Sequence, residues 1–152
     1  MFTLEGLCSE GKVDEVRAAL ARGEDVNSKY EDNSTGLMWA LIHNHNLIVR
    51  LLLEQPTVDL NCTDNERQTA VHYAADGDNV EGVRLLLADP RLTTANHEDD
   101  EGFTPVMAAV FCNKVNALRE LVAHPSVLLD VRDRDGMSLE DVARLFFAIN
   151  TK

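Results

Sequence analysis

A chain of 152 residues, 45% hydrophobic and 26% charged, has an ordinary globular make-up, and it holds no apolar run near the roughly 20 residues that a membrane span needs. Its net charge of -12 and pI near 4.7 argue against direct nucleic-acid binding, because phosphate backbones repel an acidic surface. Met1 to Glu5 show neither a basic start nor a continuous apolar stretch, so a cytoplasmic or nuclear location is expected.

From about Leu4 the chain opens directly on a helix. Leu4, Leu7 and Cys8 share one face, Gly11 breaks the run, and Val13, Val16, Ala19 and Leu20 make a second apolar stripe. Gly23 is placed to close that second helix in a left-handed C-terminal cap. A second helix pair follows, with Trp39, Ala40, Leu41 and Ile42 on its first member and Leu47 to Leu53 on its second. Between them His43-Asn44-His45 reads as a polar turn; on a helix, metal-ligating histidines stand three or four apart, and no third ligand is near in sequence. The third pair starts at Thr69-Ala70-Val71-His72 and turns at Asp76-Gly77-Asp78-Asn79. The fourth carries Val106 to Val110 and then Val115, Leu118, Leu121 and Val122, with Met107 expected in the core. Gln55-Pro56, Asp89-Pro90 and His124-Pro125 should stop three of the second helices, since proline lacks the donor and clashes with the preceding turn. A last helix places Leu139, Val142, Ala143, Phe146 and Ile149 on one face and leaves Leu145 and Phe147 uncovered.

The helix starts recur almost evenly. Thr35, Thr69, Thr104 and Ser138 are 34, 35 and 34 residues apart, and so are Asn27, Asn61, Asn96 and Asp130. Each member of the second series precedes the next Thr or Ser by eight residues. With Thr69-Ala-Val-His-Tyr-Ala-Ala at its centre and Thr104-Pro-Val-Met-Ala-Ala downstream, the pattern resembles the ankyrin repeat. The resemblance implies an all-α repeat solenoid of helix-turn-helix units joined by β-hairpin-like loops, in one domain over 1–152. The units fall at about 2–28, 29–62, 63–97 and 98–131, with a half unit at 132–150. It also implies a structural bond from His72 to the neighbouring hairpin. Arg67 and Asn33 stand where the family has Gly, and Tyr30 where it has Asp, so the turn geometry at those tips is open.

No Gly-rich phosphate loop, nucleophile elbow or His-Glu-x-x-His helix is present, so neither catalysis nor a cofactor or metal is expected. Cys8, Cys62 and Cys112 are an odd, widely spaced set, expected to be reduced and mostly packed. The irregular polar residues collect at the loop tips instead, which a stacked array presents in one row on its concave side. Candidate partner contacts are Tyr30, Glu31 and Asp32 with Trp39 on the adjoining helix, then Asp64, Glu66 and Arg67. Glu98, Asp99, Asp100, Glu101 and Phe103 follow, and Arg134 ends the row. Four successive carboxylates at 98–101 repel one another, and a basic segment of another protein would relieve them. The expectation is a monomeric protein-interaction module without direct nucleic-acid or membrane contact; the alternative is a targeting domain of a larger enzyme.

Overall fold

A computed structural model describes residues 3–150, without the side chains of Phe146, Phe147, Ile149 and Asn150. Within them the helices are α1 (Leu4–Ser9), α2 (Val13–Ala21), α3 (Gly36–Ile42), α4 (Asn46–Leu53), α5 (Ala70–Asp76), α6 (Val80–Ala88), α7 (Pro105–Phe111), α8 (Val115–Ala123) and α9 (Leu139–Asn150). The odd-numbered helices stack in one row and α2, α4, α6 and α8 in a second, giving an all-α solenoid. None is long and apolar enough to cross a membrane among the described residues.

Helices of six to nine residues are too short to persist alone, so capping and stacking must hold them. Thr35 Oγ1 accepts from the Met38 N–H at 3.4 Å, and Pro105 sits in the first turn of α7, where its missing donor costs nothing. At the other end one motif repeats. Lys12, His45, Asn79 and Lys114 donate their N–H to Leu7, Ala40, Ala74 and Ala109, closing α1, α3, α5 and α7 around a left-handed residue. That residue is Gly11, Asn44, Asp78 or Asn113. The third turn falls where the sequence places it, at Asp76 to Asn79, with Asp78 and not Gly77 as its left-handed residue. Gly77 is needed because a Cβ there would stand 2.6 Å from the Ile42 carbonyl oxygen of the preceding unit. Gly23 does adopt the expected cap, with φ +83°. The helices α4, α6 and α8 end two or three residues before Pro56, Pro90 and Pro125.

One hydrophobic cluster runs from Leu4 to Val142. Leu41, Leu52, Leu86, Met107 and Leu121 are fully buried in it, each worth about 1.5–3 kcal/mol over an exposed position. Val142 closes it on α9, while Leu145 remains 41% exposed; the side chains of Phe146, Phe147 and Ile149 lie outside the described residues. Cys8 is buried, and burial beside Glu5 pushes its thiol up to about 12. Cys112 departs from the packed-thiol expectation: it caps α7 at the surface and is exposed.

Side-chain amides join the units. Asn61 Nδ2 donates to Arg91 O at 2.8 Å while its Oδ1 accepts from Thr93 N at 2.8 Å. Asn27 bridges to Thr57 and Asp59 in the same way, and Asn96 to Ser126 and Leu128.

Two opposite effects follow for backbone substitutions. Gly77→Ala should cost about 2 kcal/mol because its Cβ meets backbone that cannot yield. Arg67→Gly should stabilise by up to about 1 kcal/mol by removing a non-glycine residue from a left-handed conformation, φ 60°. Urea unfolding of both variants checks the signs.

Candidate functional site

The loops between the helix pairs carry short hairpin-like turns. Tyr30, Asp64, Asp99 and Asp133 donate their N–H to Ser34, Gln68, Phe103 and Met137, and isolated antiparallel bridges join Lys29 to Thr35 and Arg132 to Ser138. Three of the tips are braced by an aspartate at their first position. Asp64 Oδ1 accepts from the N–H groups of Glu66 and Gln68, Asp99 Oδ1 from Glu101 and Phe103, and Asp133 Oδ1 from Asp135 and Met137, all at 2.8–2.9 Å. The turns left open by the sequence therefore form, with Asn33 and Arg67 taking positive φ. Where Tyr30 replaces the aspartate, Asp32 reaches in from inside the loop and accepts from Ser34 N at 3.0 Å and Ser34 Oγ at 2.6 Å. The Ser34 hydroxyl holds the Asp32 carboxyl below the usual carboxylate range. Successive tips also bond directly, Asn65 N–H to Asp32 O and Asp100 N–H to Glu66 O.

The structure divides the candidate contacts into two groups. Tyr30 packs edge-on to Trp39 with ring centroids 5.7 Å apart, and Trp39 in turn meets His43 and Tyr73. Glu31 is exposed beside them. The second group lies one unit further on, where Glu66, Asp99, Asp100, Glu101 and Phe103 line a groove of about 330 Å³. Ala108, Phe111 and Cys112 complete its wall from α7. Glu98 and Arg67 are exposed at the tips but do not line it. Asp64 is turned inward to accept the Tyr73 hydroxyl at 2.9 Å, and the backbone of Arg134 packs against Gly102. Asp99 differs from its neighbours at 98, 100 and 101: it is 7% exposed and braces its own loop, so three freely exposed carboxylates stand there in place of four. Sequence reasoning missed Ala108 and Phe111. The available signal was register, since Ala108 stands four residues past Thr104 just as Trp39 and Tyr73 stand four past Thr35 and Thr69.

His72 links helix and hairpin. Its Nδ1 accepts from the Thr69 N–H at 3.2 Å, which leaves Nε2 to donate to Phe103 O at 2.9 Å. This tie spans two units, and it is the structural role that the resemblance implies. The sequence that builds these helix pairs and braced loops matches a family model described as ankyrin repeats (3 copies) over residues 4–94, more than half of the chain. The chain belongs to the ankyrin repeat family. An ankyrin repeat protein of fowlpox virus, FPV031, is 32% identical over 130 residues, covering 81% of this chain and 36% of the viral one. Human Rabankyrin-5 is 37% identical over 71 residues, 47% of this chain and 6% of that protein. A rice protein bearing the name Probable E3 ubiquitin-protein ligase XBOS33 is 37% identical over 81 residues, 53% of this chain and 16% of its own length. The chain thus spans about a third or less of these curated relatives. Ankyrin repeats are protein-protein interaction modules, and that coarse function applies here.

Burial lowers the His72 imidazole below its ordinary range. With the folded value below the unfolded one, the unfolded chain takes up the proton first. This part of the stability is therefore complete above about pH 6.5 and is lost as pH falls below it. His72→Ala should cost about 2–4 kcal/mol at pH 7 by orphaning the Thr69 N–H and the Phe103 carbonyl. It should also weaken the decline that wild type shows between about pH 6.5 and 5, as read by urea titrations at both pH values.

Proposed function

We propose that this ankyrin array is a monomeric, non-catalytic binding module of the cytoplasm or nucleus that grips a basic segment of another protein along its loop tips. The observation that carries the reading is a contrast between the two faces of the molecule. On the second row, Arg50 pairs with Glu81 and Arg84 with Glu120, each at 2.7 Å, so charges on neighbouring helices are matched. At the tips, Glu31, Glu66, Glu98, Asp100 and Glu101 enter no ion pair among the described residues. Exposed pairs are worth at most about 1 kcal/mol, so the contrast matters little for folding. It matters for association, because unpaired like charges around an aromatic groove attract and orient an oppositely charged chain.

The short coverage of the relatives favours a second reading, in which the same surface serves as the recognition part of a longer protein. Under that reading the contact chemistry is unchanged.

Fluorescence anisotropy with a labelled peptide of alternating Arg and Gly tests the proposal. Wild type should bind it at low salt and lose affinity towards about 0.15 M salt, where charges beyond about 8 Å are screened. The triple variant Glu98→Lys, Asp100→Lys, Glu101→Lys, which spares the bracing Asp99, should bind at least about tenfold more weakly. Equal binding by both proteins would remove the acidic tip from recognition.

A further inference from the structure

In the second and third units the angle between the loop and the first helix is filled by an aromatic side chain that bonds to the loop. Trp39 Nε1 donates to Ser34 Oγ at 2.7 Å, and the Tyr73 hydroxyl donates to Asp64 Oδ2 at 2.9 Å. The residue in that register in the fourth unit is Ala108, and the groove of about 330 Å³ opens beside it. The missing bulk has a polar counterpart. Asp99 is the equivalent of Asp64 and uses Oδ1 in the same way, but its Oδ2 has no donor among the described residues. The side chain is 7% exposed and lines the groove. In the preceding unit the equivalent oxygen takes a hydroxyl donor from the register that Ala108 leaves small, so the groove beside Ala108 is where a donor to Asp99 Oδ2 would stand.

We propose that an arginine side chain from the basic segment enters this groove, taking the place that the Tyr73 ring and hydroxyl occupy one unit earlier. The proposal rests on the basic-segment reading and adds the group that confers specificity. One guanidinium N–H meets Asp99 Oδ2, and the planar head lies against Phe103 and Phe111. Those rings are 5.5 Å apart at a 46° tilt, and Phe111 is 43% exposed, so an aromatic surface is available to a cation. Glu66, Asp100 and Glu101 surround the opening, and no basic residue lines it. Arginine fits better than lysine because a planar, weakly hydrated fork stacks and donates at once, whereas an ammonium is a compact, strongly hydrated charge. A partner tyrosine would supply the hydroxyl but leave the surrounding carboxylates uncompensated.

The decisive variant is Ala108→Tyr, which rebuilds the third unit's arrangement in the fourth. Its thermal midpoint should stay at or above that of wild type. Anisotropy titrations with labelled peptides of Gly alternating with Arg, Lys or Tyr should show the Arg peptide weakened at least about tenfold by this variant and the Lys peptide by less than about threefold. If Ala108→Tyr fails to fold, Phe111→Ala at the exposed wall should give the same selective loss. Unchanged binding of the Arg peptide would overturn the groove assignment; if the triple Lys variant still lost that peptide, the basic-segment reading would survive it. Equal losses for Arg and Lys, or a wild type that prefers the Tyr peptide, would overturn the choice of arginine. A wild type that bound none of the peptides would remove both readings.

Discussion

A chain whose helices, α9 apart, have six to nine residues leaves much of its loop backbone without intrahelical partners, and satisfying those groups constrains the whole molecule. Asn61 shows the solution. Its one amide accepts from the Thr93 N–H and donates to the Arg91 carbonyl, doing for two loops what a strand pairing does in a sheet. Asn27 and Asn96 repeat this on either side, so each loop is held by the loop before it. The buried cluster supplies most of the favourable free energy, but it is non-directional. The amides and the aspartate braces set the register in which that cluster can close.

Because the frame is held by few residues, other positions can vary without loss of the fold. The site four residues into each first helix is one of them. Trp39 and Tyr73 fill it and bond to their own loops, while Ala108 leaves space and an Asp99 oxygen with no donor among the described residues. On the proposed reading, recognition in this array is a local omission from a repeated structural theme. In that proposal the acidic tips give attraction at a distance, and the groove beside Phe103 and Phe111 gives a defined place for one side chain. Charge of this kind mainly sets encounter rate and partner class, whereas a desolvated pocket sets selectivity.

Much of the frame is legible in the chain itself. The spacing of Thr35, Thr69, Thr104 and Ser138 marks the helix starts, and Pro56, Pro90 and Pro125 mark three stops, because these residues act through local backbone chemistry. Legibility fails where a contact from another unit decides. The turn at Asp76 to Asn79 is legible, but not that Gly77 is required by the nearby Ile42 carbonyl while Asp78 takes the positive φ. Tyr30 in an aspartate position leaves the turn geometry open, and only the structure shows Asp32 bracing it from two residues on. Four carboxylates at 98–101 look alike in sequence, and only the loop's hydrogen bonds single out Asp99. The groove was hardest to foresee because its cause is a small residue in a register that carries aromatics in two earlier units.

The claim that amide bridges couple the units is tested most directly by urea unfolding of Asn61→Ala, followed in parallel by Trp39 fluorescence and far-UV circular dichroism. Trp39 is the sole tryptophan and reports on the second and third units, whereas dichroism reports on every helix. In wild type the two transitions should coincide. In the variant stability should fall by about 2 kcal/mol or more, with a fluorescence midpoint separated from the dichroism midpoint, because neighbouring units in a linear array stay cooperative only while their interfaces hold. Coincident transitions with a loss below about 0.5 kcal/mol would contradict the account and leave coupling to the apolar stack alone.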